Sequence, residues 1–376
     1  MYFHLIITDE CNLCCSYCRA KTFEETDFRG DKDSTPIEID AFLPSELDFE
    51  LSLLYNFLKK DPSATLTFYG GEPLMRTDLI STIVQNAPVQ RFMLQTNGLL
   101  LDRLDPEIVN RFSTILISLD GREDLTDANR GAGTYRKVIE NIKKIRQNGY
   151  SHELIARMTV NENTEIADAV HWLADNPDYS FSSIHWQLDA NFANDFSHRR
   201  FAEWVFENYN PGIIRLVADW VDQMEKEGKV LRWYPFLDPM EDLILGRESR
   251  LRCGAGHANY SIMTDGHIAP CPVMIGMSHY YVGHIRDSDP HDLPVITVNG
   301  ECSDCLIRGF CGGRCLYSNI TKPWRADERR IVCSTVETLH NGLTDALPRV
   351  KHLITRGVIR RADFSHEKYN GCEIIP

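Results

Sequence analysis

Between residues 2 and 188, short β-branched runs alternate with amphipathic stretches, and no other feature restricts the fold as much. Strands are expected at YFHLIIT (2–8), ATLTFY (64–69), RFMLQ (91–95), TILISL (114–119), LIARMTV (154–160) and SIHWQL (183–188). Helices are expected at 45–60, 78–86, 134–147 and 164–174. In 134–147 the apolar residues Val138, Ile139, Ile142 and Ile145 recur at helical spacing, and Gly149 closes the stretch. Such alternation calls for a parallel sheet, open or curled, with helices packed on it. Six units are fewer than the eight of a closed barrel, so a partial (β/α)6 barrel is the α/β fold expected over 1–190. With 43% hydrophobic residues in 376, the chain can bury that core.

The texture then changes twice. Residues 191–252 form an aromatic and acidic helical bridge, with FAEWVFENY and GIIRLVADWVDQMEKEGK as its segments. From 253 to 340, Gly, Pro and Cys are frequent and long periodic runs vanish, as in a small irregular domain folding around metal. The tail, 341–376, belongs to a helix expected over 336–359 and broken at Pro348. The acidic stretch 21–40 reads as a solvated loop, either a bland insertion or a grip on substrate.

A net charge of −14 speaks against non-specific nucleic-acid binding, which needs clustered Lys and Arg. No signal peptide and no run of about 18 apolar residues is present, so a cytoplasmic protein without a membrane span is expected. Reducing conditions there disfavour disulfides, and twelve cysteines need another use. Four fall at 11, 14, 15 and 18, and the other eight all lie between 253 and 372. Such clustering points to metal or iron–sulfur ligation.

Cys11, Cys15 and Cys18 read as C-x3-C-x2-C on a loop after the first strand. Three thiolates can hold three irons of a 4Fe–4S cube and leave the fourth open to another ligand. A closed structural zinc site wants four ligands, and no His lies near to supply the last. With Tyr17 before the final cysteine, this motif resembles that of the radical S-adenosylmethionine (SAM) superfamily. The resemblance implies that Cys11, Cys15 and Cys18 ligate a catalytic cluster whose open iron binds SAM. Cys14 is left as a spare, a small buried hydrophobe beside the loop.

Other stretches fit the same family. YGGEP supplies Gly70, Gly71, Glu72 and Pro73 after the second strand, where the family's GGEP meets the methionine amino group. QTNG after the third strand brings Gln95 and Asn97. SLDG after the fourth brings Ser118 and Asp120, which fall where members contact the SAM ribose or nearby groups. Arg130 of NRG and Arg157 on the fifth strand are candidates to pair with the SAM carboxylate.

The later cysteines carry a second signature. Cys253-x12-Gly266-x4-Cys271, then Cys302-x2-Cys305-x5-Cys311-x3-Cys315, then Cys333 is similar to the seven-cysteine SPASM pattern, whose domain carries two auxiliary 4Fe–4S clusters. By that resemblance Cys302, Cys305, Cys311 and Cys333 hold one cluster. Cys253, Cys271 and Cys315 hold the other, its fourth ligand being open, Cys372 or a non-cysteine group. A zinc ribbon is the alternative for C-x2-C-x5-C-x3-C by spacing alone. Three clusters and SAM are thus the implied cofactors.

The implied reaction is reductive cleavage of SAM to a 5′-deoxyadenosyl radical, followed by oxidative modification of a peptide or protein, such as crosslinking. The alternatives are formylglycine formation in a sulfatase and a non-enzymatic iron–sulfur electron carrier. Implied partners are the peptide substrate and a low-potential ferredoxin- or flavodoxin-type donor; because the chain starts at its first strand, either a separate leader-binding protein delivers the peptide or the helical bridge and the 21–40 loop grip it.

Overall fold

A computed structural model describes residues 1–18, 39–189 and 199–370. Cys372 and most of the 21–40 stretch lie outside the described residues. Six strands form where the β-branched runs lie: β1 (Tyr2–Ile6), β2 (Thr65–Tyr69), β3 (Arg91–Thr96), β4 (Phe112–Ser118), β5 (Glu153–Val160) and β6 (Ser183–Leu188). All pair in parallel and in sequence order. Between them run α1 (Leu51–Leu58), α2 (Thr77–Asn86), α3 (Pro106–Val109), α4 (Glu123–Arg130), α5 (Thr134–Gln147) and α6 (Ile166–Ala174).

Period-two alternation divides the strands between two environments. Phe3, Leu5, Phe92, Leu94, Ile115, Ile117, Leu154 and Ala156 enter the large core shared with the helices. Met93, Leu116 and Ile155 turn the other way and gather with Tyr234 in a separate apolar cluster. The sheet is therefore lined on its inner face, as a partial barrel requires.

The sheet is wider than the six strands expected. β7 (Arg232–Trp233) extends it in parallel beyond β6. On the other side β8 (Asn259–Ile262) pairs in parallel with β1, and β9 (His267–Ala269) and β10 (Gly283–His284) follow antiparallel. The cysteine-rich region thus continues the barrel sheet through the free edge of β1.

After β6, α7 (Phe201–Trp204) runs through one wide turn (Val205–Tyr209) into α8 (Asn210–Glu227). α9 (Tyr234–Leu245) follows β7, and α10 (Arg308–Cys311) and α11 (Leu316–Thr321) are short turns within the cysteine-rich region. The last helix, α12, spans Ala326–Thr355, so it starts ten residues earlier than expected and passes unbroken through Pro348. Its start is fixed by the Arg325 N–H donating to Glu328. Packing explains its continuity: Leu343, Val350 and Leu353 are buried on either side of the proline, and Arg349 pairs with Asp222 of α8 at 2.8 Å. These contacts outweigh the lost helical hydrogen bond.

Candidate functional site

The cysteine loop leaves β1 and lies on a bed made by YGGEP. Gly71 N–H donates to the Thr8 carbonyl at 2.9 Å, and Glu72 N–H to that of Glu10 at 2.7 Å. A Cβ on Gly70 would collide with the Thr8 carbonyl oxygen; one on Gly71 would sit 2.5 Å from that of Asp9 and closer still to Glu10. The two glycines admit the chain's own loop root.

Glu72 is fully buried. Its carboxylate accepts from Thr96 Oγ1 (2.7 Å), Asn97 N–H (2.7 Å) and Leu74 N–H (3.0 Å), the last across the short turn opened by Pro73. Burial raises its pKa, against which those three bonds work. Asn97 then reaches the loop itself, its Nδ2 donating to Asn12 Oδ1 at 2.8 Å and lying 3.9 Å from the Cys11 sulfur.

On the other flank Asp120 is a hub with no solvent exposure. Tyr17 donates to it at 2.8 Å, Arg130 binds it with Nε (3.0 Å) and Nη2 (2.8 Å), and Thr159 N–H (3.0 Å) and Asn129 Nδ2 (3.3 Å) complete the shell. Arg130 also stands over the Tyr17 ring at 5.4 Å, while Ser16 N–H donates to the Asn129 carbonyl at 2.8 Å. Asp120 and Arg130, which the sequence placed towards SAM, are here engaged with each other and with the loop. Arg157 differs. Its Nη2 donates to Gln187 at 2.9 Å, and its buried Nε has no partner.

Ser118 stands half-buried at the end of β4, in register with Arg157, and Gln95 stands half-buried at the end of β3, in register with Leu116. Within the loop, Leu13, Cys15 and Tyr17 are half-buried and Cys11, Cys14 and Cys18 exposed. Cys14 therefore is not the buried hydrophobe expected, because alternate side chains of this segment turn outward.

The thiols fall into three neighbourhoods. Burial pushes Cys15 up to about 11; Arg130 opposes, and the thiols of Cys18 and Cys11 add to it. Cys271 is raised well above its ordinary value by burial, then by Cys315 and Cys253. Cys311 is pushed up to about 11 by burial, opposed by the Gly313 N–H and Arg314, with Cys333 and Cys302 adding; Cys333 in turn faces Cys302 and Cys305. Among the described residues no three cysteine sulfurs come within 4.8 Å of one another. A mononuclear tetrahedral site with metal–sulfur bonds of about 2.3 Å would hold thiolates roughly 3.8 Å apart. Sets of three or four thiols are the soft donors that iron–sulfur clusters take.

Sequence reasoning missed the contributions of Thr96, Asn129 and Asn12, since hydrogen bonds across strand ends leave no local pattern. Tyr234 and Asp238 of WYPFLDP, titratable groups near the inner face, have structural partners. Tyr234 donates to Glu153 at 3.0 Å. Asp238 pairs with Arg252 and, at 3.0 Å, with Lys368. Burial raises the Asp238 pKa, but His366, Arg252 and Lys368 overcome this and hold it well below the carboxylate range.

Residues 5–173 match the model of the Radical SAM superfamily. This part of the chain is a radical SAM domain. GTP 3′,8-cyclase of Clostridium perfringens (strain 13 / Type A) is 31% identical over 183 residues, covering 47% of this chain and 52% of that protein. The probable GTP 3′,8-cyclase of Methanococcus vannielii is 28% identical over 173 residues, 44% of this chain and 53% of that protein. The chain spans about half the length of these relatives. The solved structure of native anSMEcpe with bound AdoMet and Cp18Cys peptide aligns over 94% of this chain and 99% of that one, with a TM-score of 0.68 at 17% identity. Native anSMEcpe with bound AdoMet aligns over 95% and 100%, at 0.67 and 18%. At such identities the likeness is one of fold. No helix among the described residues is long and apolar enough to cross a membrane.

Proposed function

We propose that this radical SAM enzyme cleaves SAM reductively and oxidatively modifies a peptide or protein. The observation that carries the reading is the convergence of Cys11, Cys15 and Cys18 on one loop. That loop is pinned on one flank by Asn97 and on the other by Tyr17 and Asp120. With a cluster on those thiols, the supplied chemistry is one-electron cleavage of SAM to methionine and a 5′-deoxyadenosyl radical that takes hydrogen from the substrate.

The chain's residues orient that site. Glu72 fixes the ends of β2 and β3 beneath the loop, and Asp120 does the same for β4 and β5. Of the two arginines, Arg157 retains donor capacity for an anion such as the SAM carboxylate, because Asp120 binds two edges of Arg130. A peptide substrate is supported by the fold shared end to end with anSMEcpe, whose solved structure holds the Cp18Cys peptide. The half-length matches to GTP 3′,8-cyclases leave the rest of the chain unaccounted for. The two further thiol sets suit clusters that take up the electron of an oxidative step, with a low-potential ferredoxin or flavodoxin as the outside donor.

The test is anaerobic reconstitution, then SAM and a strong reductant, with 5′-deoxyadenosine measured by mass spectrometry. Cys14→Ala keeps SAM cleavage and Cys15→Ala abolishes it; equal cleavage by both variants would sink the radical-enzyme reading. Candidate peptides and GTP are then offered side by side. A peptide that loses two hydrogens supports the substrate class, and turnover of GTP alone refutes it.

A further inference from the structure

The run Cys311–Gly312–Gly313–Arg314–Cys315 makes a tight turn of three successive left-handed residues, with φ of +68°, +95° and +54°. The first two are glycines, for which this costs little. The third is an arginine, and a non-glycine residue in that region signals an imposed placement. The turn has no room to relax, since a Cβ on Gly312 would strike the Arg250 carbonyl and one on Gly313 would lie 2.6 Å from Val298.

This turn buries Arg314 to 9% exposure. Its guanidinium stands over the Trp324 ring at 5.9 Å, and its Nε and Nη1 are buried without hydrogen-bond partners. Among the described residues no carboxylate pairs with it. The other deeply buried arginines are paired: Arg130 with Asp120, and Arg252 with Asp238 and Asp242. A buried cation left alone is strongly unfavourable, so a negative group is expected within its reach. What Arg314 does face is this thiol set: its backbone N–H donates to the Cys311 carbonyl at 3.3 Å, and its charge acts on the thiols of Cys311 and Cys333.

We propose that Arg314 is the counter-cation of the cluster held by Cys302, Cys305, Cys311 and Cys333, and that it raises that cluster's reduction potential. A four-thiolate 4Fe–4S cluster is an anion and gains one negative charge on reduction. A fixed buried cation beside it therefore favours the reduced form. Arg suits this position better than Lys would, because its guanidinium stays charged when buried and stacks on an aromatic ring. At Cys271 of the other thiol set, burial and the thiols of Cys315 and Cys253 dominate.

The inference rests on the proposed cluster content, which is checked first by iron and EPR signal in wild type against Cys305→Ala. If the two are identical, the cluster itself is missing and that reading fails before any Arg314 variant is needed. With the signal assigned, EPR-monitored reductive titration compares wild type, Arg314→Met and Arg314→Lys. Arg314→Met is expected to disfavour reduction of this cluster about tenfold, a fall of about 59 mV for one electron, with the other clusters unmoved. Arg314→Lys is expected to stay near wild type. An unchanged potential in Arg314→Met, or the same fall in Arg314→Lys, overturns the proposal. If Arg314→Met fails to load this cluster while Arg314→Lys loads it, the charge role stands; failure of both alike refutes it.

Discussion

Replacing Asp120 by Asn separates a residue that holds the loop from one that touches only SAM. Asp120 has no solvent exposure and Arg130 is 6% exposed, and the pair meets through two charge-assisted bonds of 3.0 and 2.8 Å. Asparagine keeps the volume but removes the charge and one pair of acceptor sites. Arg130 then remains buried without its counter-ion, a change that costs about 3–5 kcal/mol in comparable settings. Against a typical domain stability of about 5–15 kcal/mol this is a large fraction. Tyr17→Phe is the milder partner experiment. It deletes one donor to Asp120, which keeps Arg130, Thr159 and Asn129, so about 1.5 kcal/mol is expected. The assay is urea unfolding of anaerobically purified protein with no SAM added. The order expected is Asp120→Asn well below Tyr17→Phe, and Tyr17→Phe slightly below wild type. If Asp120→Asn unfolds at the wild-type midpoint yet fails to cleave SAM, the residue serves the cofactor and not the loop, and the argument from its hydrogen bonds is wrong.

Two further predictions bear on the strand ends. His4 is buried, and burial, with Arg157 adding and the Asn259 hydrogen bond opposing, lowers its pKa from 6.5 to about 4. The fold thus favours the neutral ring, a contribution present above pH 6.5 and lost as pH falls towards 4, worth about 3 kcal/mol in all. Unfolding midpoints measured across that window should drop in wild type and flatten in His4→Gln; a flat wild-type profile would contradict the burial argument. Gly71→Ala should displace the loop root, because its Cβ meets the Asp9 and Glu10 carbonyls, and should cost the iron bound by Cys11, Cys15 and Cys18. Iron analysis showing full loading in Gly71→Ala would mean that the loop yields where the structure shows it held.

The barrel was legible because its signals are local. The 134–147 stretch became α5 with the bounds its apolar period implied, since Val138, Ile139, Ile142 and Ile145 all face the core. The expected helix at 45–60 begins only at Leu51. Before it, Leu47 N–H pairs with the Ile7 carbonyl and Glu46 bridges to Thr8, so 45–50 lies against the loop root. β8, β9 and β10 were missed because runs of two to four residues carry no period of their own and exist by adding to the edge of β1. The glycines and acids of the motifs were visible, but not their tasks, because Glu72 finds its partners at Thr96 and Asn97, across two strands.

That edge pairing also places the thiol sets relative to one another. β1 and β8 are parallel, with Tyr2 opposite Asn259. Cys11 follows the C-terminal end of β1. Cys253 precedes β8, and its carbonyl accepts from Asn259 Nδ2 at 3.2 Å, which puts it at the N-terminal end of the same strand pair. Cys271 joins it there, since β9 runs back down and Gly256 N–H pairs with the Pro270 carbonyl at 2.9 Å. The loop triad and the set of Cys253, Cys271 and Cys315 thus sit at opposite ends of a five-residue strand, roughly 16 Å at about 3.3 Å per residue. The inner face between those ends carries the polar groups His4, Thr67, Arg157, His185 and Gln187 beside the apolar Met93, Leu116 and Ile155. At the lower end the tail packs against that face: Asn370 donates to Tyr234 at 3.0 Å, and Tyr369 packs edge-on against Tyr2.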